Sequence, residues 1–266
     1  MVIFPGCKIN IGLNITGKRP DGYHKIESIF YPIELSDILE IVPNDIFSIN
    51  ITGLFIKGDR ENNLVVKAYS LLKAKYNLPP VKIHLHKVVP MGAGLGGGSA
   101  DGSATLVLLN NLFDLKISTK ELEEYAVSLG SDCAFFIRNT PAFVQGKGET
   151  INPIEVNLKG KYLYVINPKI HISTGVAFEG IIPVQRSITI NDSIRQDQST
   201  WKKELKNDFE ETIFPLYPKI AAIKKEIYSN GAFYSSMSGT GSSVYGIFNE
   251  KPAAIYPNYF EWISIL

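Results

Sequence analysis

The sequence contains little cysteine and almost no net charge. It has 2 cysteines in 266 residues, too few for a disulfide framework, which is typical of a reducing compartment. Its 27 Lys and Arg residues nearly balance 26 Asp and Glu residues, which leaves a formal charge of +1. A chain this close to neutral has no broad field that draws it onto nucleic acid or an anionic membrane, so we expect neither as a partner. Any anion that it binds must be held by local geometry.

Long apolar runs and targeting signals are also missing. No stretch approaches the roughly 18 uninterrupted apolar residues of a membrane-spanning helix. The opening MVIFPGCKIN lacks the basic and then apolar composition of a secretory signal. We therefore expect a cytoplasmic protein, and the sequence implies no protein partner. Hydrophobic residues make up 45% of the chain, which is enough to build the cores of two domains.

Alternating and helical patterns predict a mixed chain of strands and helices. Residues 8–15 and 37–41 alternate as strands do, and residues 46–56 and VKIHLHKVVP predict further strands. NNLVVKAYSLLKAKYN has the apolar spacing of one helical face. After Asp132, AFFI and PAFVQGKGE are strand-like.

The second half begins a new alternating segment, KYLYVINP, near residue 161. This pattern predicts a boundary near residues 152–160 and two domains, residues 1–155 and 156–266. Two strand-like runs flank a second glycine turn at residues 239–243, and we expect the chain to end in a short helix.

The segment Gly92–Ser99 has five glycines in eight residues, between a predicted strand and a predicted helix. Glycines let backbone N–H groups point at a phosphate without side chains in the way. The N-terminal end of the following helix adds a positive dipole, so the segment indicates a polyphosphate site. A flexible turn between strand and helix is the alternative on glycine content alone.

Two better-known glycine loops do not fit this segment. A Walker A loop requires Lys and then Ser or Thr after its last glycine, whereas Ser99 follows that glycine directly. GAGLGGG matches the dinucleotide fingerprint, and Asp114 lies about twenty residues further on, where a ribose-binding acid is expected. A Rossmann unit needs a second strand before that acid, but Asp114 lies between two predicted helices, the second starting at Ser118.

Four blocks together, CKINIGLNI, PMGAGLGGGSADGSA, GSDCAFF and SGTGSSVYGIF, resemble the GHMP kinase superfamily. GKRPDGYHKIESIF, NNLVV, LGSDCAFF and KNDFE resemble the members that phosphorylate an alcohol on a cytidine-bearing substrate. The resemblance covers nearly the whole chain. It implies an α+β or α/β two-domain GHMP kinase fold, with a ribosomal-protein-S5-like N-terminal domain and a ferredoxin-like C-terminal domain. It also implies ATP and Mg²⁺ as cofactors and a small-molecule substrate that carries a cytidine diphosphate group.

By this resemblance, Lys8, Asn10 and Asp132 surround the acceptor hydroxyl. A carboxylate at Asp132 can take the proton of the attacking alcohol, which is worth roughly 10² to 10⁴ in rate. Lys8 can keep that carboxylate ionised and neutralise charge on the transferring group, and Asn10 can orient the acceptor. The structural alternatives are a turn residue for Asp132 and a solvated strand residue for Lys8.

The cytidine site is also assigned by resemblance. His24 faces the edge of the cytosine, since a neutral imidazole both donates and accepts. Tyr23 and Phe178 sandwich the base, and stacking of this kind is worth about 1–3 kcal/mol per base. Thr174 lies in the same block as Phe178, a block that departs from the usual prolines of the family, and Thr240 approaches the substrate diphosphate or closes the site.

The ATP site implied by the resemblance consists of two positions near the adenine and the glycine loop around the phosphates. The residues are Asn63, Lys87, Pro90, Met91, Gly92, Ala93, Gly94, Leu95, Gly96, Gly97, Gly98 and Ser99. No set of residues has the spacing of a dedicated metal cage, so the sequence predicts no metal-ligating residue.

Cys7 and Cys133 each lie beside a proposed catalytic residue, where the family commonly has small apolar residues. If the two blocks converge, both thiols lie near the site, and sensitivity to alkylation is a hypothesis.

Two other functions remain open at this point. A GHMP kinase for homoserine, mevalonate or a sugar would share the fold, but Tyr23 and His24 favour a cytidine compound. A silent nucleotide sensor would share it too, but a sensor has no need for a base such as Asp132.

Overall fold

The secondary structure matches the sequence patterns over most of the chain. A computed structural model describes residues 1–55 and 59–266, apart from the side chain of Arg60. The strands in this part of the chain are β1 (Val2–Ile3), β2 (Gly6–Lys18), β3 (His24–Ser36), β4 (Ile38–Pro43), β5 (Ser48–Gly53), β6 (Val81–Lys87), β7 (Ala142–Gly146), β8 (Thr150–Pro153), β9 (Tyr162–Asn167), β10 (Tyr234–Met237), β11 (Val244–Phe248) and β12 (Phe260–Ile265). The α-helices are α1 (Leu64–Tyr76), α2 (Gly97–Leu112), α3 (Thr119–Leu129), α4 (Cys133–Arg138), α5 (Thr174–Phe178), α6 (Ile190–Ser193), α7 (Trp201–Glu204), α8 (Phe209–Leu216) and α9 (Pro218–Ser229).

Contacts divide the chain into two units, each built from several segments. Unit 1 comprises Met1–Cys7, Pro32–Met91 and Gly96–Thr140; unit 2 comprises Lys8–Tyr31, Gly92–Leu95 and Pro141–Leu266. This partition differs from the predicted domains, residues 1–155 and 156–266, which stay a prediction. Part of the difference arises because Leu13 pairs with residues 206–208, a long-range contact that no local pattern reveals.

Unit 1 contains a four-stranded sheet in the order β1-β4-β6-β5. β5 and β6 are parallel, so the chain must cross over between them, and α1 makes this crossover. Alternation along β6 buries Val81, Ile83 and Leu85, as the period of two predicts. α1 packs against α2, and α3 against α4.

Unit 2 contains most of the four-stranded sheet β2-β3-β7-β8, whose residues 6–7 and 32–36 belong to unit 1, and all of a second sheet in the order β10-β11-β9-β12. In the second sheet all neighbouring strands are antiparallel, and the two central strands are β9 and β11, the first and third of the four in chain order. This order is that of a ferredoxin-like unit, which confirms the predicted C-terminal fold. Its core includes Tyr164, Phe209, Ile220 and Ile223.

Helix ends follow their capping signals. The side chain of Asn63 accepts the N–H of Val65 and caps α1. Ser118, the predicted start of α3, forms a reciprocal capping box with Glu121, and α3 ends at Leu129 with Gly130 as its C-cap. No helix within residues 1–55 and 59–266 combines the length and hydropathy needed to cross a bilayer.

Two secondary-structure predictions are wrong, and the predicted strand over residues 46–56 is only partly tested. AFFI is helical and lies in α4. Its apolar residues are buried because α4 packs against α2 and α3, not because they join a sheet. The chain ends in β12 rather than in a short helix, because the open edge of β9 provides a pairing partner. β5 covers Ser48–Gly53, and Ile56 lies outside the described residues.

Candidate active site

The glycine loop joins β6 to α2, the arrangement of strand, loop and helix that the sequence predicts. β6 ends at Lys87, and α2 begins at Gly97 with Gly96 as its N-cap. α2 is 16 residues long, so its first turn presents backbone N–H groups and the positive end of the helix dipole. A helix end of this kind suits the phosphates of ATP.

Gly94 contacts the second glycine turn so closely that no side chain fits there. Its φ is 77°, and a Cβ built on it would lie 1.8 Å from the carbonyl oxygen of Ser238. The Ser238 hydroxyl donates to the Gly94 carbonyl at 2.8 Å, and the Ser243 N–H donates to the Ala93 carbonyl at 3.2 Å. Residues 92–95 and residues 238–243 are therefore packed together within unit 2.

Lys8 and Asn10 lie on β2 beside this contact. The ammonium of Lys8 donates to Oδ1 of Asn10 at 2.6 Å and to the carbonyl of Gly94 at 3.2 Å. It also lies over the ring of Phe30, 4.5 Å from the centroid. Asn10 donates from Nδ2 to the hydroxyl of Ser28 at 2.8 Å, so the orientation of its amide is fixed. Both side chains are buried, which contradicts the alternative of a solvated Lys8.

The aromatic residues are arranged differently from the predicted sandwich. The ring of His24 stacks on Phe178, with centroids 4.7 Å apart and planes inclined by 16°. Tyr23 is 59% exposed, and Lys147 lies over its ring at 5.2 Å. The His24 ring covers one face of Phe178, and the sandwich of the base between Tyr23 and Phe178 stays a prediction. Burial, with a smaller effect of Lys18, lowers the pKa of His24, which favours the neutral imidazole.

Thr174 and Thr240 both lie in unit 2, the first in a short helix and the second in a turn. Thr174 is exposed in the first turn of α5, which the Ser173 side chain caps. Thr240 is half-buried in the glycine turn between β10 and β11.

Asp132, Ser99 and Asn63 lie in unit 1. Asp132 precedes α4 and does not cap it through its side chain, and Ser131 donates to its Oδ1 at 3.4 Å. Ser99 is half-buried in the first turn of α2. The oxygen of the Asn63 amide is engaged in capping α1.

The side chain of Lys87 lies in an ion cluster in the core of unit 1, defined here as Lys87, Asp37 and Asp101. The ammonium is 0% exposed, pairs with Asp37, and donates to Asp101 at 2.7 Å. Asp37 also accepts the N–H groups of Val88 and Val89, at 2.6 and 2.9 Å. The cluster therefore ties the entry of the glycine loop to α2. The ammonium is held by this cluster, and the carbonyl of Lys87 accepts the N–H of Leu54 at 2.8 Å, so the adenine contact assigned to Lys87 stays a prediction.

Two carboxylates and one ammonium leave the ion cluster with an excess of negative charge. Burial raises the pKa of Asp101 to about 8, an effect that Lys87 opposes and Asp37 reinforces. Burial lowers the pKa of Lys87, but Asp101 and Asp37 outweigh this effect and the net shift is upward. Among the described residues, Oδ1 of Asp101 has no hydrogen-bond partner although it is buried, so it lacks the hydrogen bonds that would stabilise a charged carboxylate.

We expect Asp101→Asn to flatten the dependence of stability on pH. The folded-state pKa of Asp101, about 8, lies above its ordinary value of 3.8, so between these values the folded protein holds a proton that the unfolded chain has lost. Stability therefore falls as pH rises through this window, by at most about 1.4 kcal/mol per pH unit. Urea unfolding of wild type and Asp101→Asn from pH 5 to 9 measures the difference, with exposed Asp45→Asn as control. Parallel profiles for wild type and Asp101→Asn would contradict the assignment.

Cys7 and Cys133 are both fully buried. Burial raises the pKa of Cys133 to about 11, although Ser99 lowers it through a hydrogen bond. The thiolate is the form that reacts, so Cys133 reacts slowly at neutral pH. These features argue against the hypothesis of alkylation sensitivity.

Several polar residues around the loops were not predicted from the sequence. Ser238, which contacts Gly94, is in the recognised block SGTGSSVYGIF, but no local pattern gives its partner. The block KNDFE is part of the family resemblance, but the resemblance assigns it no role in the site. The pairing of Asp37 and Asp101 with Lys87 is not predictable from a local pattern, because these residues are 50 and 14 positions from Lys87 in the chain.

The family models match the two halves of the chain separately. The GHMP kinases N terminal domain matches residues 63–146, and the GHMP kinases C terminal model matches residues 190–256. A 4-diphosphocytidyl-2-C-methyl-D-erythritol kinase of Bacteroides fragilis is 52% identical over 255 residues, covering 94% of this chain and 93% of the relative. The chain belongs to the GHMP kinase family. It is thus a small-molecule kinase, as its sequence blocks predict.

Further comparisons give this GHMP kinase relatives across its full length. A kinase of the same name from Porphyromonas gingivalis is 42% identical over 273 residues, covering 100% of both chains. The crystal structure of a 4-(cytidine 5'-diphospho)-2C-methyl-D-erythritol kinase matches with a TM-score of 0.79 and 27% identity, over 93% of this chain and 90% of the other. A Methanococcus jannaschii mevalonate kinase matches in fold, with a TM-score of 0.68 and 17% identity, over 94% of this chain and 90% of the other.

Proposed function

We propose that this GHMP kinase transfers the γ-phosphoryl group of ATP to the 2-hydroxyl of 4-diphosphocytidyl-2-C-methyl-D-erythritol. The products are the 2-phosphate and ADP, in the non-mevalonate, or methylerythritol phosphate, pathway of isoprenoid precursor biosynthesis. The observation that carries this proposal is 52% identity, over 94% of the chain, to a kinase named for this substrate. We also infer a cytoplasmic location, in keeping with the scarcity of cysteine.

Asp132 is the proposed general base. As the acceptor oxygen attacks the γ-phosphorus, its proton passes to the carboxylate, the new O–P bond forms, and the bond from the γ-phosphorus to the bridging oxygen of ADP breaks. The side chain is half-buried and does not cap α4, and both features suit this role.

Lys8 and Asn10 are proposed to act on the transferring group and on the acceptor. The buried ammonium of Lys8 can stabilise charge that develops on the phosphoryl oxygens, because its position is fixed before the reaction begins. The hydrogen bonds of Asn10 to Lys8 and Ser28 set the orientation of its amide. A fixed amide favours one orientation of the acceptor alcohol.

The proposed ATP site consists of the glycine loop, Ser99 and the start of α2. Mg²⁺ would arrive with ATP and neutralise charge on the β- and γ-phosphates. A hydroxyl oxygen suits this hard cation, and Ser99 offers one on a half-buried side chain. Within the described residues, no three His, Cys, Asp or Glu side chains group into a metal site.

The proposed cytidine site includes Tyr23, His24, Thr174, Phe178 and Thr240. The neutral form of His24 can both donate to and accept from the edge of cytosine. Stacking between His24 and Phe178 supports an aromatic site. The base is proposed to take the place of the imidazole on Phe178, and the imidazole then to move to the edge of the cytosine.

We expect His24→Ala to weaken binding of the cytidine substrate at least about fivefold while ATP binding changes less than about twofold. The imidazole is proposed to bind only the edge of the cytosine, and the loss of this polar contact costs about 1–3 kcal/mol. Isothermal titration of each ligand measures both effects. His84→Ala, which alters a histidine of β6 in unit 1, serves as control. Equal losses for both ligands would place the cytosine site elsewhere.

The experiment that tests the function is an ADP-release assay with ATP, Mg²⁺ and four acceptors. The acceptors are diphosphocytidyl-methylerythritol, homoserine, mevalonate and galactose. Turnover with the cytidine compound alone supports the proposal. Turnover with another acceptor would keep the kinase mechanism but refute the substrate, and silence with all four would favour a nucleotide sensor.

A further inference from the structure

The block KNDFE has no part in the chemistry described so far, yet one of its residues lies behind the second glycine turn. Asn207 is 1% exposed. The chain on both sides of it pairs with β2: the N–H of Leu13 donates to Lys206 and the N–H of Asp208 donates to Leu13, each at 2.8 Å. The position of Asn207 is thus set by the strand that also carries Lys8.

The side chain of Asn207 uses both amide hydrogens on one short segment. Nδ2 donates to the carbonyl of Met237 at 2.7 Å and to that of Gly239 at 2.8 Å. Oδ1 accepts the N–H of Phe209 at 3.0 Å. A buried amide satisfied on both sides has one orientation, so it fixes the two carbonyls on either side of Ser238.

Fixing these carbonyls also fixes the N–H groups that share their peptide planes. The Gly239–Thr240 bond is trans, and the two polar groups of a trans peptide point in opposite directions. Because the Gly239 carbonyl points at Asn207, the N–H of Thr240 points away from it. The Met237 carbonyl matters equally, because it shares a peptide plane with the N–H of Ser238. That N–H donates to the carbonyl of Ser243 at 2.9 Å and closes the turn.

An anion site requires this polarity. N–H groups attract phosphate oxygens, whereas a carbonyl turned toward the anion repels them. Without the Asn207 amide, the Gly239 carbonyl would lose its donor and the Met237 carbonyl would keep, among the described residues, only the Ser236 hydroxyl at 3.2 Å, so the peptide planes could rotate.

We propose that Asn207 is a positioning residue of the kinase, which holds the carbonyls of Met237 and Gly239 so that the turn at residues 238–243 presents the Thr240 N–H to the anionic substrate. This proposal rests on the proposed function in one respect, the approach of Thr240 to that substrate.

The neighbours of Asn207 in the same block hold it in place. Asp208 accepts the N–H of Ile15 at 2.8 Å and pairs with Arg186 at 2.7 Å. Glu210 accepts the N–H of Met237 at 2.8 Å and the ammonium of Lys224 at 2.5 Å. Asp208 therefore holds the chain beside Asn207, and Glu210 holds Met237, the residue that carries one of the two carbonyls.

Asn207→Asp tests the proposal with almost no change in volume. It replaces the donating NH₂ by an oxygen that faces two carbonyl oxygens and keeps the acceptor for Phe209. Since a misplacement of about 1 Å can cost about 10²-fold in rate, we expect kcat to fall at least tenfold. We expect KM for the acceptor to rise as well, because the turn is proposed to contact the anionic acceptor before transfer, whereas KM for ATP should stay within about threefold. If the Asp variant does not fold, Asn207→Ser, which adds no charge and offers a single shorter donor, carries the same test.

Ile223→Val is the matched control, because it weakens the core of the same unit at a residue of α9, outside the turn at residues 238–243. Its kcat per folded molecule should equal that of wild type. A folded Asn207 variant with wild-type kcat would overturn the proposal, and so would an equal loss of kcat in Ile223→Val. The ratio of variant to wild type is measured on whichever acceptor the wild type uses, so failure of the cytidine compound alone refutes only the proposed substrate. Silence of the wild type with every acceptor would overturn both.

Discussion

We expect Asp132→Ala to lower kcat by at least about 100-fold while ATP still binds. General-base catalysis contributes roughly 10² to 10⁴ in rate, and the carboxylate is proposed to act only as the acceptor loses its proton. Removing an interaction made in the transition state lowers kcat and kcat/KM together and leaves ground-state binding nearly unchanged. The measurements are steady-state kinetics at saturating ATP and acceptor, and the Kd of ATP by titration.

Two further variants separate chemistry from local structure. Asp132→Asn keeps the volume and removes the charge, so it should lose nearly as much kcat as the alanine variant. Ser131→Ala removes the neighbouring hydroxyl that donates to Asp132 at 3.4 Å and should retain most activity. Near-normal turnover of Asp132→Ala would rule out the general-base assignment.

Lys87→Met should destabilise the protein by about 3–5 kcal/mol, the usual cost of removing one partner of a buried ion pair. The substitution leaves Asp37 and Asp101 facing each other in the core, where both are at most 3% exposed. Part of the loss should be recovered in Lys87→Met/Asp37→Asn, which removes one of the carboxylates. Urea unfolding at pH 7 measures both variants.

Lys116→Met is a matched control on the surface. Lys116 pairs with Asp114 at 2.6 Å, but its side chain is 79% exposed. Exposed pairs contribute about 0–1 kcal/mol, so this variant should unfold almost like wild type. If the two lysine substitutions lower the free energy of unfolding equally, the buried ion cluster stabilises the protein no more than an exposed ion pair does.

Local patterns were enough to predict much of the fold. The alternation of β6, the glycine run and the helical spacing after it predict the strand, loop and helix of the nucleotide site, because each signal is complete within about fifteen residues. The capping pair Ser118 and Glu121 marks the start of α3 for the same reason. AFFI was assigned wrongly because four apolar residues fit a buried strand or a buried helix equally well.

Long-range partners could not be predicted in this way. The Lys87 position was assigned to the ATP site by resemblance, but the location of its ammonium depends on Asp37, 50 residues away. The stacking of His24 on Phe178 joins residues from distant parts of the chain, so the predicted pair of Tyr23 and Phe178 could not be checked against spacing. The roles of Lys8 and Asp132 stay predictions, while the buried hydrogen bonds of Lys8 are an observation of the structure.

The contact between Gly94 and Ser238 also constrains the order in which the enzyme is assembled during synthesis. The two residues are 144 positions apart, and the chain leaves the ribosome N-terminus first at about 5–20 residues per second. Residues 92–95 are therefore made several seconds before the turn whose hydroxyl and N–H groups hold them. A nascent chain stalled before residue 238 has the glycine run but not its support, so the nucleotide loop is completed only near the end of translation.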